Sequence, residues 1–122
     1  MSETDNTSQP ELSLVIPVYN GSKTIAGLID GLVRLDVSGE FEIVLVNDGS
    51  EDNSAEICRE IVAQSKANII FLDLTRNFGE HNAVLTGLRH TSGRYVVTMD
   101  DDFQNAPAEV AKLYQYTKAN DF

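Results

Sequence analysis

Apolar residues fall in four short runs along this chain, and each run is followed by a stretch with apolar residues at helical spacing. The first run is Leu12-Ser13-Leu14-Val15-Ile16-Pro17-Val18. Nearly continuous runs of this kind suit strands covered on both faces. Pro17 has no N–H to give to a ladder, so pairing is predicted to finish about there. Tyr19-Asn20-Gly21 is turn chemistry and Ser22 is a predicted N-cap. Ile25, Leu28, Ile29 and Leu32 then define one apolar helix face. The second unit is Phe41 to Val46, the turn Asn47-Asp48-Gly49-Ser50, and a helix carrying Ala55, Cys58, Ile61 and Val62. The third is Asn68 to Leu74, the turn Thr75-Arg76-Asn77-Phe78-Gly79, and a helix from Glu80 to His90 with Val84 and Leu88 inward. The fourth strand is Arg94 to Met99; past it Pro107 opens a last helix with Val110, Leu113, Tyr114 and Thr117 on one face.

Strands alternating with helices predict the α/β class: a mostly parallel four-stranded sheet with helices on both faces. In such folds the strand-to-helix loops share one edge, and ligands bind there near the switch in strand order. Those loops are Pro17 to Gly21, Asn47 to Asp52, Thr75 to His81 and Asp100 to Asn105. They hold most of the unusual residues in the chain, whereas the opposite loops contain plain turn residues. That asymmetry points to function on one edge.

Composition narrows the partners. A chain of 122 residues is one domain's worth. The net charge of −10 argues against nucleic acid and against an anionic membrane surface, both of which call for Lys and Arg. Cys58 is the only cysteine, which excludes an internal disulfide and fits a reducing, cytoplasmic setting. Set among Ile57, Ile61 and Val62, it reads as a small core residue. No signal peptide is expected from residues 1–11, and no apolar run in the sequence reaches transmembrane length. Residues 1–11 are polar and read as a flexible tail.

Chemistry gathers at Asp100-Asp101-Asp102, where the fourth strand breaks off. Adjacent carboxylates repel one another, and oxygen donors suit hard cations such as Mg²⁺ or Mn²⁺. In an extended loop Asp100, Asp102 and Gln104 point the same way, with Asp101 facing elsewhere. An isolated Asp-x-Asp is more often a solvated turn; its place at a strand end on the crowded edge brings the two readings level. Asp48 reads either as turn chemistry or as an acceptor for a ligand's N–H or hydroxyl groups. Arg76 could pair with a neighbouring Asp or neutralise a phosphate. Tyr19 is either a surface aromatic or a stacking platform. His81 and His90 receive no role. The first loop lacks G-x-G-x-x-G, and Gly21-Ser22-Lys23-Thr24 lacks the upstream glycine of a P-loop.

Four motifs in order, Val15 to Asn20 (VIPVYN), Val46 to Ser54 (VNDGSEDNS), Arg76 to Gly79 (RNFG) and Met99 to Gln104 (MDDDFQ), resemble the nucleotide-sugar-binding half of family 2 glycosyltransferases with the GT-A, Rossmann-like fold. The Arg-Asn-Phe-Gly loop, Gly93 and the Asp-x-Asp-x-Gln string are most similar to the polyisoprenyl-phosphate glycosyltransferases, the group of dolichol-phosphate mannose synthase and undecaprenyl-phosphate sugar transferases. The resemblance runs from Leu12 to the end. It implies that Pro17 and Tyr19 line a base pocket, that Asp48 bonds the base, and that Arg76, Asp100 and Asp101 lie against the nucleotide sugar. Asp100 and Asp102, with Gln104, match the metal-binding motif. It implies a metal-dependent, inverting transfer from a UDP- or GDP-linked sugar to a lipid-phosphate or glycan acceptor. A nucleotidyltransferase and a non-catalytic nucleotide-binding module are the alternatives. The family often has Glu where Gly21 stands, so one donor contact is expected to be missing. Residues 12–122 correspond to the N-terminal donor part, with the acceptor half and general base expected downstream. The chain alone is expected to be inactive. A sheet edge that the missing half is expected to cover makes self-association, as a homodimer, a risk, and the full-length protein is expected at the cytoplasmic face of a membrane.

Overall fold

The computed structural model describes residues 9–34 and 41–99, together with Lys112. Four strands and three helices alternate: β1 (Leu12–Val18), α1 (Ile25–Val33), β2 (Phe41–Asn47), α2 (Ser54–Gln64), β3 (Ile69–Asp73), α3 (Glu80–Leu88) and β4 (Tyr95–Thr98). The sheet order is β3-β2-β1-β4, and every pairing is parallel. The α/β class predicted from the pattern is therefore the observed one.

Every residue of β1 is buried, as its unbroken apolar run requires. Leu12, Leu14, Ile16 and Val18 meet Ile25, Leu28, Ile29 and Leu32 of α1 and Cys58 of α2 on one face. Val15, Val44 and Val46 meet Ala83 of α3 on the other. Helices thus cover both faces, and Cys58 is a core residue.

Several boundaries and faces differ from the pattern's prediction. β1 pairs with β2 through Val18, past Pro17. The reason is parity. Val18 O accepts from Asp48 N on the β2 side, whereas Val15 O accepts from Met99 N on the β4 side. N–H and C=O of one residue point the same way in a strand, so Pro17's missing donor falls on the β4 side. There the register ends at Val15↔Thr98, and no β1–β2 bond is lost. Helix α1 begins at Ile25, after a turn, and its N-cap is Thr24 in place of Ser22. Helix α3 ends at Leu88, and its inward residues are Ala83 and Gly87. Leu88 is 37% exposed. Small residues win this face because the helix sits so close: a Cβ on Gly87 would lie 2.5 Å from Val15 Cγ1. The tail predicted over residues 1–11 is pinned at its end, where Pro10 O accepts from Arg94 N and Glu11 O from Tyr95 N. The helix predicted after Pro107 lies outside the described residues, apart from helical Lys112.

At the N-terminal edge of the sheet a carboxylate is buried. Glu42 is 3% exposed. It accepts from Ser13 Oγ at 2.6 Å, from Ser92 N at 2.8 Å and from Ser92 Oγ at 2.8 Å. Ser13 Oγ in turn accepts from Gly93 N at 2.8 Å. This clamp holds the entry to β4 against β1 and β2, and it satisfies a buried charge of the kind that is costly when unpaired.

Candidate functional site

The opposite edge carries the strand-to-helix loops. Strand order reverses beside β1: the chain leaves β1 for β2 on one side and later returns from β3 to β4 on the other. A ligand crevice forms at such a reversal. The loop after β1 and the chain leaving Met99 both emerge at this place.

Three loops meet there, and Gly49 sets how closely. Its φ is 65°, and a Cβ would stand 2.2 Å from Asn77 N and 2.3 Å from the carbonyl carbon of Arg76. Only glycine admits both that conformation and that approach. Beside it, Asp48 is 2% exposed. Its N–H donates to Val18 O at 2.8 Å, and its Oδ1 accepts from Phe78 N at 2.8 Å. Asp48 therefore joins the end of β1 to the loop after β3. The turn preference of Asn-Asp-Gly-Ser accounts for the loop; the burial of the carboxylate comes from its neighbours.

Tyr19 stands at the rim, 47% exposed. Pro17 behind it is buried. The Arg76 guanidinium lies over the Phe78 ring at 4.7 Å from its centroid, a cation–π contact that keeps the charge on the loop surface. Among the described residues no carboxylate pairs with Arg76, so the neighbouring-Asp alternative is not the one seen there. His81 is exposed, and His90 Nδ1 bonds Thr86 O at 3.0 Å. Asp100, Asp101, Asp102 and Gln104 lie outside the described residues. Among the described residues no group of three His, Cys, Asp or Glu side chains could hold a metal, and no helix is long and apolar enough to cross a membrane.

A hydrogen-bonded seam that no sequence motif announces joins the first two loops. Asn20 adopts φ 54°. Its N–H donates to Ser50 Oγ at 2.9 Å, and its Oδ1 accepts from Glu51 N at 2.8 Å and Asp52 N at 3.4 Å. Gly21 N donates to Ser54 Oγ at 2.9 Å, and Ser22 N to Asp52 Oδ2 at 3.2 Å. Asp52 is exposed, and slight desolvation by its neighbours works against ionising it. Hydrogen bonds from the Ser54 hydroxyl and amide, then from Ser22, outweigh it, and the pKa falls from an ordinary 3.8 to about 2. The available signal was Asn20 itself, since Asn is among the few non-glycine residues that tolerate positive φ.

A profile of the family described as Glycosyl transferase family 2 matches residues 13–122. The chain belongs to glycosyl transferase family 2. Among relatives of this family 2 chain, the undecaprenyl-phosphate 4-deoxy-4-formamido-L-arabinose transferase of Edwardsiella ictaluri (strain 93-146) is 39% identical over 106 residues, covering 85% of this chain and 33% of the relative. The transferase of the same name from Shewanella sediminis (strain HAW-EB3) is 39% identical over 104 residues, covering 84% and 31%. The family 2 chain thus spans about a third of the length of the relatives it matches. Among solved structures, S. aureus TarS 1-349 in complex with UDP-GlcNAc is 26% identical with a TM-score of 0.71, covering 88% of this chain and 32% of that one. Mannosyltransferase PcManGT from Pyrobaculum calidifontis, in complex with GDP-Man and Mn²⁺, is 24% identical with a TM-score of 0.78, covering 89% and 32%. It shares the fold. The GT-A architecture implied by the motifs is the architecture of these neighbours.

Proposed function

We propose that this chain is the donor-binding part of a metal-dependent, inverting glycosyltransferase that takes a sugar from a nucleoside diphosphate and delivers it to a polyisoprenyl phosphate. The observation that carries the reading is Asp48: a carboxylate 2% exposed, at the reversal of strand order, between exposed Tyr19 and the Arg76 loop. One amide among the described residues donates to it, which leaves acceptor capacity for a base N–H. In this reading Pro17 and Tyr19 line the base pocket, and Arg76 and Asp101 lie against the diphosphate sugar. Asp100, Asp102 and Gln104 are oxygen donors suited to Mg²⁺ or Mn²⁺. A bound cation would supply positive charge to the departing nucleoside diphosphate. TarS, solved with UDP-GlcNAc, supports a nucleotide sugar, and the undecaprenyl-phosphate relatives support a lipid-phosphate acceptor. Such an acceptor would place the full-length protein at the cytoplasmic face of a membrane.

Calorimetric titration with UDP and GDP, with and without Mn²⁺, tests this. The expected result is binding that strengthens at least tenfold with Mn²⁺ and loses that gain in Asp102→Ala. Binding indifferent to the metal and to the substitution sinks the role of the aspartates.

A further inference from the structure

The seam at Asn20 continues inward as a chain of side chains that crosses the sheet edge. Ser50 Oγ, which accepts from Asn20 N, donates to Asn47 Oδ1 at 2.6 Å. Asn47, 3% exposed at the end of β2, donates through Nδ2 to Asp73 Oδ1 at 2.9 Å. The other oxygen of Asp73 takes Arg59 Nη2 from α2. The direction of every bond follows from one end. An ionised carboxylate only accepts, so the Asn47 amide must turn its NH₂ to Asp73 and its oxygen to Ser50. The Ser50 proton then goes to Asn47, which leaves its lone pairs for the Asn20 amide. A charge at the tip of β3 thereby fixes the polarity of contacts that reach the loop after β1.

The far end of the chain is the site. Asn20 follows Tyr19 directly, and Ser50 and Glu51 belong to the loop that Asp48 begins. We propose that Asn20 is a positioning residue: it terminates a relay running from Asp73 through Asn47 and Ser50, and it holds Tyr19 and Asp48 at the separation needed to stack and hydrogen-bond one nucleoside base. The proposal rests on the nucleotide-binding reading and assigns the spacing within that site. Neither Asn20 nor Asp73 needs to touch the nucleotide. Their effect passes through the backbone of two loops that are about thirty residues apart in sequence and are joined by the Asn20 side chain at 2.8 Å and 3.4 Å.

The variants are chosen to separate placement from folding. Asn20→Gly keeps positive φ accessible and deletes the side-chain acceptor. Asn20→Asp keeps both. Asp73→Ala removes the carboxylate that orients the relay. UDP titration of the chain, well below each variant's thermal midpoint, is expected to show about tenfold weaker binding for Asn20→Gly and several-fold weaker binding for Asp73→Ala. Asn20→Asp should recover most of the affinity. In the double variant Asn20→Gly/Asp73→Ala the losses should be less than additive, because the side-chain acceptor of Asn20 and the relayed bond to its backbone N–H hold the same pair of loops. A purely structural role would lower the thermal midpoint and leave the affinity of the folded protein unchanged. Wild-type affinity in Asn20→Gly overturns the proposal, and fully additive losses overturn the relay. Failure of the unsubstituted chain to bind any nucleotide overturns the functional reading and this proposal with it.

Discussion

Gly49 has room for a hydrogen and nothing larger, with the Arg76–Asn77 backbone 2.2 Å from where a Cβ would stand. Gly49→Ala must either shift the loop after β3 or flatten a φ of 65°. Either route strains the contact that lets Phe78 N reach Asp48. We expect a loss of roughly 2 kcal/mol or more in urea unfolding, with weaker UDP binding by the folded variant. A variant as stable as wild type would mean the two loops do not need this approach. At this scale the sequence was half legible. Asp48, Tyr19 and Arg76 stood out because carboxylate, aromatic and guanidinium side chains carry chemistry wherever they lie. Asn20, Ser50 and Asp52 did not, because each looks like an ordinary turn residue until a partner about thirty positions away is in place.

Strands were the most legible elements, since burial on both faces leaves a continuous apolar run that little else produces. β1 was recovered at Leu12–Val18, and the remaining strands to within a residue or two. In helix α3 periodicity points to the large apolar residues Val84 and Leu88 as the inward face, whereas Ala83 and Gly87 are the buried ones. Close packing against Val15 and Val46 instead demands Ala83 and Gly87 and turns Leu88 outward. Glu42 was hidden for the opposite reason, since a charged residue in an apolar strand gives no hint of Ser13, Ser92 and Gly93 waiting around it. Glu42→Ala leaves the Ser13 and Ser92 donors unpaired in a buried place. The expected cost is roughly 3 kcal/mol in chemical denaturation, accompanied by faster amide exchange in β4 than in β2. Uniform exchange across the sheet would contradict a clamp local to β4.

Over the whole molecule, nineteen acidic residues against nine basic ones make pH a global variable, yet Asp52 is distinguishable within it. Its pKa in the folded chain is about 2, below an ordinary 3.8. A depressed carboxylate stabilises the fold above its unfolded pKa, and that contribution disappears as pH falls through the folded value. The difference in thermal midpoint between wild type and Asp52→Asn should therefore be constant from neutral pH to about 5, shrink below about pH 4 and be mostly lost by about pH 2. A difference that persists unchanged at pH 2 would exclude ionisation as the cause. Class and layer arrangement were legible at this scale, because alternating strands and helices leave few topologies.

The position of β1 at the centre of the sheet also orders assembly in time. Its β2 side can pair once the first strand-helix-strand unit exists. Its other side waits for β4, with Leu12 meeting Tyr95 and Val15 meeting Thr98. Contacts so distant along the chain form late, after the local ones. The reversal beside β1, where the candidate crevice lies, is then the last part of the described sheet to close. A nascent chain would display one side of its first strand, the side that β4 later takes, unpaired until almost all of that sheet has been synthesised.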